Sequence, residues 1–266
     1  MTVEHVLTEG DLELQGRILP ASNAAFLAHA VLGDERVQCI YKPVVGERPL
    51  WDFPDGTLAD RERATYLVSE ALGWDVVPLT VLRDGPHGRG MVQQWREPVE
   101  PDGSGVPDPV DVVPAGRTPA GYLHVLDAED GHGRDVALVH EDTEPLRRMA
   151  VLDVVVNNAD RKGGHVLAMA DGHRYGVDHG VTLHAEDKLR TVLWGWAGRP
   201  LRDEEQKAVR RLLDDDAVRR PLRAALRELL TGRELEALDR RVRTLLRGGA
   251  MPLPGTGWPS IPWPPF

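Results

Sequence analysis

Between Leu152 and Leu167 an apolar run breaks into Asn157-Asn158-Ala159-Asp160-Arg161-Lys162-Gly163-Gly164-His165 and then turns apolar again. Two amides, a carboxylate and two cations are gathered there, and two glycines loosen the backbone behind them. Downstream the chain turns at Asp171-Gly172 and returns as Tyr175-Gly176-Val177-Asp178-His179-Gly180. A strand, a tight turn and a second strand would carry Asp178 back beside Asp160. Phosphoryl transfer uses such parts: one carboxylate orients or deprotonates an acceptor hydroxyl, another holds a metal that bridges phosphates, and cations offset the charge that develops. Taken singly, each motif has a plainer account. Asn158 and Asp160 would cap a loop, and Asp178-His179-Gly180 would be a turn. Their order and spacing favour a two-carboxylate site.

The elements that must position these residues follow from periodicity. Asp11 to Leu19 reads as a strand, broken at Pro20-Ala21-Ser22-Asn23, and Ala25 to Leu32 and Arg36 to Lys42 read as an antiparallel hairpin about Gly33-Asp34. Ala64, Leu67, Val68, Ala71 and Leu72 form one helical stripe, which places Glu62 opposite it, and Gly73 stops the helix. Val76 to Leu82 and Gly90 to Trp95 read as two more strands. Pro98 to Pro119 is Pro-, Gly- and Asp-rich and reads as a linker or long surface loop. Beyond it the chain turns helical, from Pro145 to Val156 and from Asp203 to Arg247. The Pro- and Trp-rich tail from Pro252 to Phe266 is no regular helix; it wraps the surface or stays mobile. The expected organisation is a sheet-rich lobe over residues 1–97 and a helical lobe over 98–266.

The 266 residues suffice for a full core, and the hydrophobic fraction of 41% suits a globular chain. A single cysteine, Cys39, excludes an internal disulfide framework and reads as a buried strand residue. No apolar run is long enough to span a bilayer, and the start lacks the pattern of a secretory signal, so the expectation is a cytoplasmic protein with no stable membrane insertion. A net charge of −10 argues against a nucleic-acid partner. Arg219-Arg220 and Arg240-Arg241-Val242-Arg243 cluster late, but interleaved acids make a solvated helix face the simpler account. His132 and His140 match no ligand spacing and read as exposed loop residues. No Gly-x-Ser-x-Gly elbow supports a hydrolase.

The motif resembles the phosphatidylinositol 3-/4-kinase-like branch of the protein-kinase-like superfamily, particularly type II phosphatidylinositol 4-kinases and HipA-type kinases. That branch carries Asn-x-Asp-Arg-x-x-x-Asn followed by Asp-x-Gly, matched here by Asn158, Asp160, Arg161 and His165, then Asp178 and Gly180. Glu62 to Gly73, Val77-Pro78 and Tyr41-Lys42-Pro43 add to the likeness, which touches residues 11 to 185 in patches. The resemblance implies an α+β, bilobal protein-kinase-like fold with a small antiparallel-sheet N-lobe and a mainly helical C-lobe. It implies ATP and Mg2+ or Mn2+ as cofactors, with an unidentified phosphate acceptor: a protein hydroxyl, a small molecule or, less readily, an inositol lipid.

By the same resemblance Lys42 would contact the ATP phosphates with Glu62 as its ion-pair partner, or Glu62 would simply face solvent. Ser22 and Asn23 would lie in the phosphate-covering loop, and Gln94, between Gln93 and Trp95, would reach the adenine-reading hinge. Asp160 would be the catalytic base, Asn158 would brace its loop, and Arg161 would hold Asp160 or a phosphate. Asp178 would be the principal metal ligand. His165 stands where the family has a metal-binding asparagine. It implies manganese use, a contact to phosphate, a plain loop histidine, or lost turnover with nucleotide still bound. The alternative to a kinase is therefore an ATP-binding pseudokinase serving as a nucleotide-sensing interaction module.

Overall fold

The computed structural model describes residues 1–19, 23–99, 108–256 and 259–266. After a short helix α1 (Val3–Glu9), five strands form one antiparallel sheet: β1 (Asp11–Arg17), β2 (Phe26–Leu32), β3 (Glu35–Pro43), β4 (Thr80–Gly85) and β5 (Gly88–Gln94), in the order β1-β2-β3-β5-β4. Side chains alternate across a pleated strand. Cys39 and Tyr41 of β3 therefore join Ala28, Ala30, Val81 and Val92 against Val6 and Leu7 of α1. Lys42 points to the other face, where helix α2 (Leu58–Leu72) lies. The Tyr41 ring fills the space beside Gly90, where a Cβ would meet both that ring and the Lys42 carbonyl, so glycine is required at this close approach.

Helix α2 starts where the Thr57 hydroxyl accepts from Asp60 N and stops at Gly73 in the left-handed conformation, as the sequence predicts. The expected strand from Val76 begins only at Thr80. The Ser69 hydroxyl accepts from the N–H groups of both Val76 and Val77, so these buried valines are held to the helix instead of a ladder.

The segment expected to be linker contains β6 (Val110–Pro114), which pairs with β8 (Asp135–Glu141), itself paired with β7 (Tyr122–Glu129). This three-stranded sheet was not legible because its outer strand β7 is mostly exposed or half-buried and Pro-Gly turns dominate its surroundings. Nor is His140 a loop residue. It is fully buried in β8, donating from Nδ1 to the Glu141 carbonyl and accepting at Nε2 from Gly195 N.

Helix α3 (Glu144–Val156) follows, then the hairpin β9 (Val166–Ala168) and β10 (Arg174–Gly176), and helices α4 (Asp203–Asp214), α5 (Asp216–Arg227) and α6 (Gly232–Gly248). Their leucines and valines close the large core around α3, which also reaches α2. A buried bidentate pair, Arg147 to Glu205, fixes α3 near α4 at 2.6 and 3.1 Å. Arg61 of α2 bonds Glu234 of α6 and the Thr182 carbonyl, tying the first lobe to the second. The tail wraps the helical lobe: the Ser260 carbonyl accepts from Thr191 N and Trp194 Nε1, and the Pro265 carbonyl accepts from Gly163 N at 2.8 Å. Among the described residues no helix is long and apolar enough to cross a membrane.

Candidate active site

Helix α3 ends at Asn157, which adopts the left-handed conformation (φ 53°) and releases the chain into the loop. The next residue braces that loop from both ends of its side chain. Asn158 Nδ2 donates to Asp153 Oδ1 at 2.9 Å, and its Oδ1 accepts from Asp160 N at 3.0 Å. Asp160 is thus presented by its own backbone on a fixed support. Its carboxyl is raised from the ordinary value, first by burial, with the Lys162 and Arg190 charges pulling the other way and Asp178 adding to the rise. Asp178 is thus close enough for its charge to act on Asp160. Lys162 Nζ lies 3.5 Å from Asp160.

The hairpin β9–β10 brings Asp178 there. Its register pairs Val166 with Gly176, and Val177 N donates to the His165 carbonyl at 3.0 Å, so His165 and Asp178 emerge side by side. His165 Nε2 is 3.6 Å from Asp178 Oδ2. Asp178 itself holds a positive φ of 59°, an uncommon state for a non-glycine residue that aims its carboxylate out of the strand direction.

Lys42 completes the cluster from the sheet side. Its ammonium bonds Glu62 Oε1 at 2.8 Å and Asp178 Oδ1, while Glu62 Oε2 accepts from His179 N at 3.0 Å. Glu62 is only 3% exposed, so the ion-pair alternative holds and the solvent-facing one does not. The sequence stripe misled because α2 is buried on both faces, one against the helical core and one against the lysine. Burial alone would lower the Lys42 pKa, but the two carboxylates outweigh it and keep the ammonium protonated well above its usual range. The same lysine holds Asp178 well below the ordinary carboxylate value. Burial, only partly opposed by Asp178, lowers His165 to about 4, so its imidazole is neutral at pH 7.

One expectation needs correction. Arg161 reaches neither Asp160 nor a phosphate position. It is fully buried, with Nε and Nη2 on Asp153 at 2.9–3.2 Å, Nη1 on the His165 and Val177 carbonyls, and Nη2 also against His179 Nε2 at 2.6 Å. Gln94 ends β5, with its N–H donating to the Leu79 carbonyl and that of Trp95 to the Gln38 carbonyl. Asn23 spends its carboxamide oxygen on Arg48 N, anchoring the β1–β2 loop to the chain after β3. Ser22 lies outside the described residues.

Sequence reasoning missed Asp153, the hub that accepts from Asn158, Arg161 and Thr191 within the core. The signal was present: a lone carboxylate in the apolar run of α3 must be paired, and the arginine eight residues on is the natural partner. Missed too was the tail, whose Phe266 ring packs on Gly163 so closely that a Cβ there would collide with it.

No protein-family model matches the chain. "Phosphatidylinositol 4-kinase gamma 4" of Arabidopsis thaliana is 30% identical over 103 residues, 36% of this chain and 18% of that protein. Among solved structures, the "Crystal structure of the golgi casein kinase" superposes with a TM-score of 0.53 at 13% identity, covering 92% of this chain and 72% of that one. That likeness is one of fold, and with the sheet lobe and helical lobe described above it makes this a bilobal, protein-kinase-like α+β fold. "Protein Rv2133c" of Mycobacterium tuberculosis (strain ATCC 25618 / H37Rv) is 54% identical over 268 residues, spanning 99% of this chain and 95% of that protein, and the chain belongs to its family.

Proposed function

We propose that the chain is an ATP- and divalent-metal-dependent kinase that transfers the γ-phosphoryl group to a hydroxyl acceptor. One observation carries the reading: Lys42 is held between Glu62 and Asp178 while Asp160 stands on the adjoining loop. Residues 1–97 then serve as the nucleotide lobe and 98–266 as the catalytic lobe. Lys42, fixed by Glu62, binds the phosphates. Asp160 takes the proton of the acceptor hydroxyl, and its raised pKa suits a base that must hold that proton in the transition state. Lys162 offsets the negative charge beside it. Arg161 acts one layer back, keeping the loop fastened to α3 through Asp153.

The residues fit a cation shared with the phosphates. Asp178 and His165 lie side by side, His165 is neutral, and its buried Nδ1 has no partner among the described residues. Among the described residues no cluster of three or more His, Cys, Asp or Glu side chains could hold a metal alone, which suits an ion completed by phosphate and water. A neutral imidazole favours Mn2+ over Mg2+. Asp178 and His165 would hold such an ion, which would supply positive charge against the charge that develops on the phosphates.

The motif and the Arabidopsis relative support placement in the phosphatidylinositol 3-/4-kinase-like branch, near its type II and HipA-type members. With a net charge of −10, a protein or small-molecule acceptor is preferred to an inositol lipid, and the setting to the cytoplasm without nucleic-acid or membrane-inserted partners. Both carboxylates and the Lys42–Glu62 pair are in place, which disfavours the pseudokinase alternative. The adenine is placed against the interlobe chain that begins at Gln94, at the end of β5. A structure with a non-hydrolysable ATP analogue and Mn2+ tests the reading. The terminal phosphate is expected within reach of Lys42, Asp160 and Asp178; an analogue bound elsewhere would overturn it.

A further inference from the structure

Although the chain carries −10 overall, one cavity away from the candidate active site is lined mainly by arginine. Arg219, Arg220, Arg223 and Arg227 of α5 and Arg243 of α6 line this cavity of about 380 Å³ together with Asp239. Helix α5 buries Leu222 and Leu226, so its other face is left to these arginines. Arg219 and Arg220 pair with Asp216, and Arg223 reaches Asp239 at 3.1 Å with Arg243 4.0 Å from the same carboxylate. Five guanidiniums thus face two carboxylates, and among the described residues no acid pairs with Arg227. The excess is an electrostatic cost: 219 with 223, and 223 with 227, are like charges one helical turn apart. The acids that make this stretch read as an ordinary solvated face are outnumbered here, since Asp216 and Asp239 between them serve four arginines.

From this we infer that the α5–α6 cavity is a second anion site, separate from the nucleotide cleft, which takes a group bearing two or more phosphates. Guanidinium forks match phosphate oxygens in bidentate fashion, and several converging on one concavity supply charge that a single phosphate does not need. The cavity has about a dozen times the volume that one water occupies in the liquid, enough for more than one phosphate. The phosphates come either from a soluble polyphosphorylated molecule or from a lipid headgroup; the recognition chemistry is shared.

The test uses the full chain. Inorganic tripolyphosphate is titrated calorimetrically, and co-sedimentation is measured with phosphatidylcholine vesicles with and without a polyphosphorylated inositol lipid. Each is repeated with Arg220→Ala/Arg227→Ala and with Lys42→Met. Arg220 and Arg227 are exposed, so the double variant keeps its melting temperature. At least tenfold weaker binding in that variant, with binding retained in Lys42→Met, supports the site. Binding of tripolyphosphate assigns a soluble source, and capture only by the lipid vesicles assigns the headgroup. Binding unchanged by the double variant, abolished by Lys42→Met, or absent from both probes overturns the inference. Because the cleft is read separately through Lys42, failure here leaves the kinase reading untouched.

Discussion

At the residue scale, the motif separates into groups that face the site and groups that hold it. Asp160 and Asp178 were singled out by the residue types that acid–base and phosphate chemistry needs, and Lys42 by the family resemblance. The role of Arg161 was not legible, since a guanidinium can bind a phosphate or a buried carboxylate and only packing decides. Its pair with Asp153 is fully buried, and removing one partner leaves the other charge stranded. Arg161→Ala is therefore expected to cost about 3–5 kcal/mol in urea unfolding. For Asp160 the pH dependence has a definite sign. The base must be deprotonated, its pKa is raised by burial, and kcat/KM should fall on acidification with a midpoint above the usual aspartate value of about 3.9. A pH–rate profile checks this; an acid limb at or below that value would remove Asp160 from the role.

At the scale of elements, the hairpin β9–β10 does the positioning, and alternation around Asp171-Gly172 was enough to foresee it. The end of α2 at Gly73 was equally plain. What could not be foreseen is where long-range partners interrupt a local pattern, as Ser69 does for Val76 and Val77. The tail is a second case. Its prolines exclude a helix without saying which surface receives it, and that surface includes the loop of the candidate site at Gly163. Gly163→Ala would push the half-exposed Phe266 ring aside sooner than distort the loop. The expected result is faster proteolytic trimming of the tail with a change in stability below about 1 kcal/mol. Unchanged trimming would show that the contact does not hold the tail.

At the scale of the whole molecule, the two lobes and their order were readable from a run of strands followed by a run of helices, while the sheet β6–β8 was hidden by its exposed edge. Folding also buries histidines in neutral form. His140 is lowered to about 4 by burial, and its Nε2 is an acceptor that protonation would destroy. The unfolded chain takes up that proton near pH 6.5 and the folded chain does not. Stability is therefore complete above about pH 6.5 and is lost as pH falls toward 4, by about 3 kcal/mol from His140. His165 shifts in the same direction. Melting temperatures between pH 7 and 4.5 should fall more steeply for the natural chain than for His140→Gln. The central claim, that Asp160 and Asp178 make this fold a working kinase, is tested most directly by turnover of γ-labelled ATP with Mn2+ or Mg2+, with ATP binding measured alongside. The account predicts turnover in the natural chain and, in Asp160→Asn, retained ATP binding with a loss on the order of 10³-fold in kcat. Measurable ATP binding without turnover under either metal, or undiminished turnover in Asp160→Asn, would contradict it.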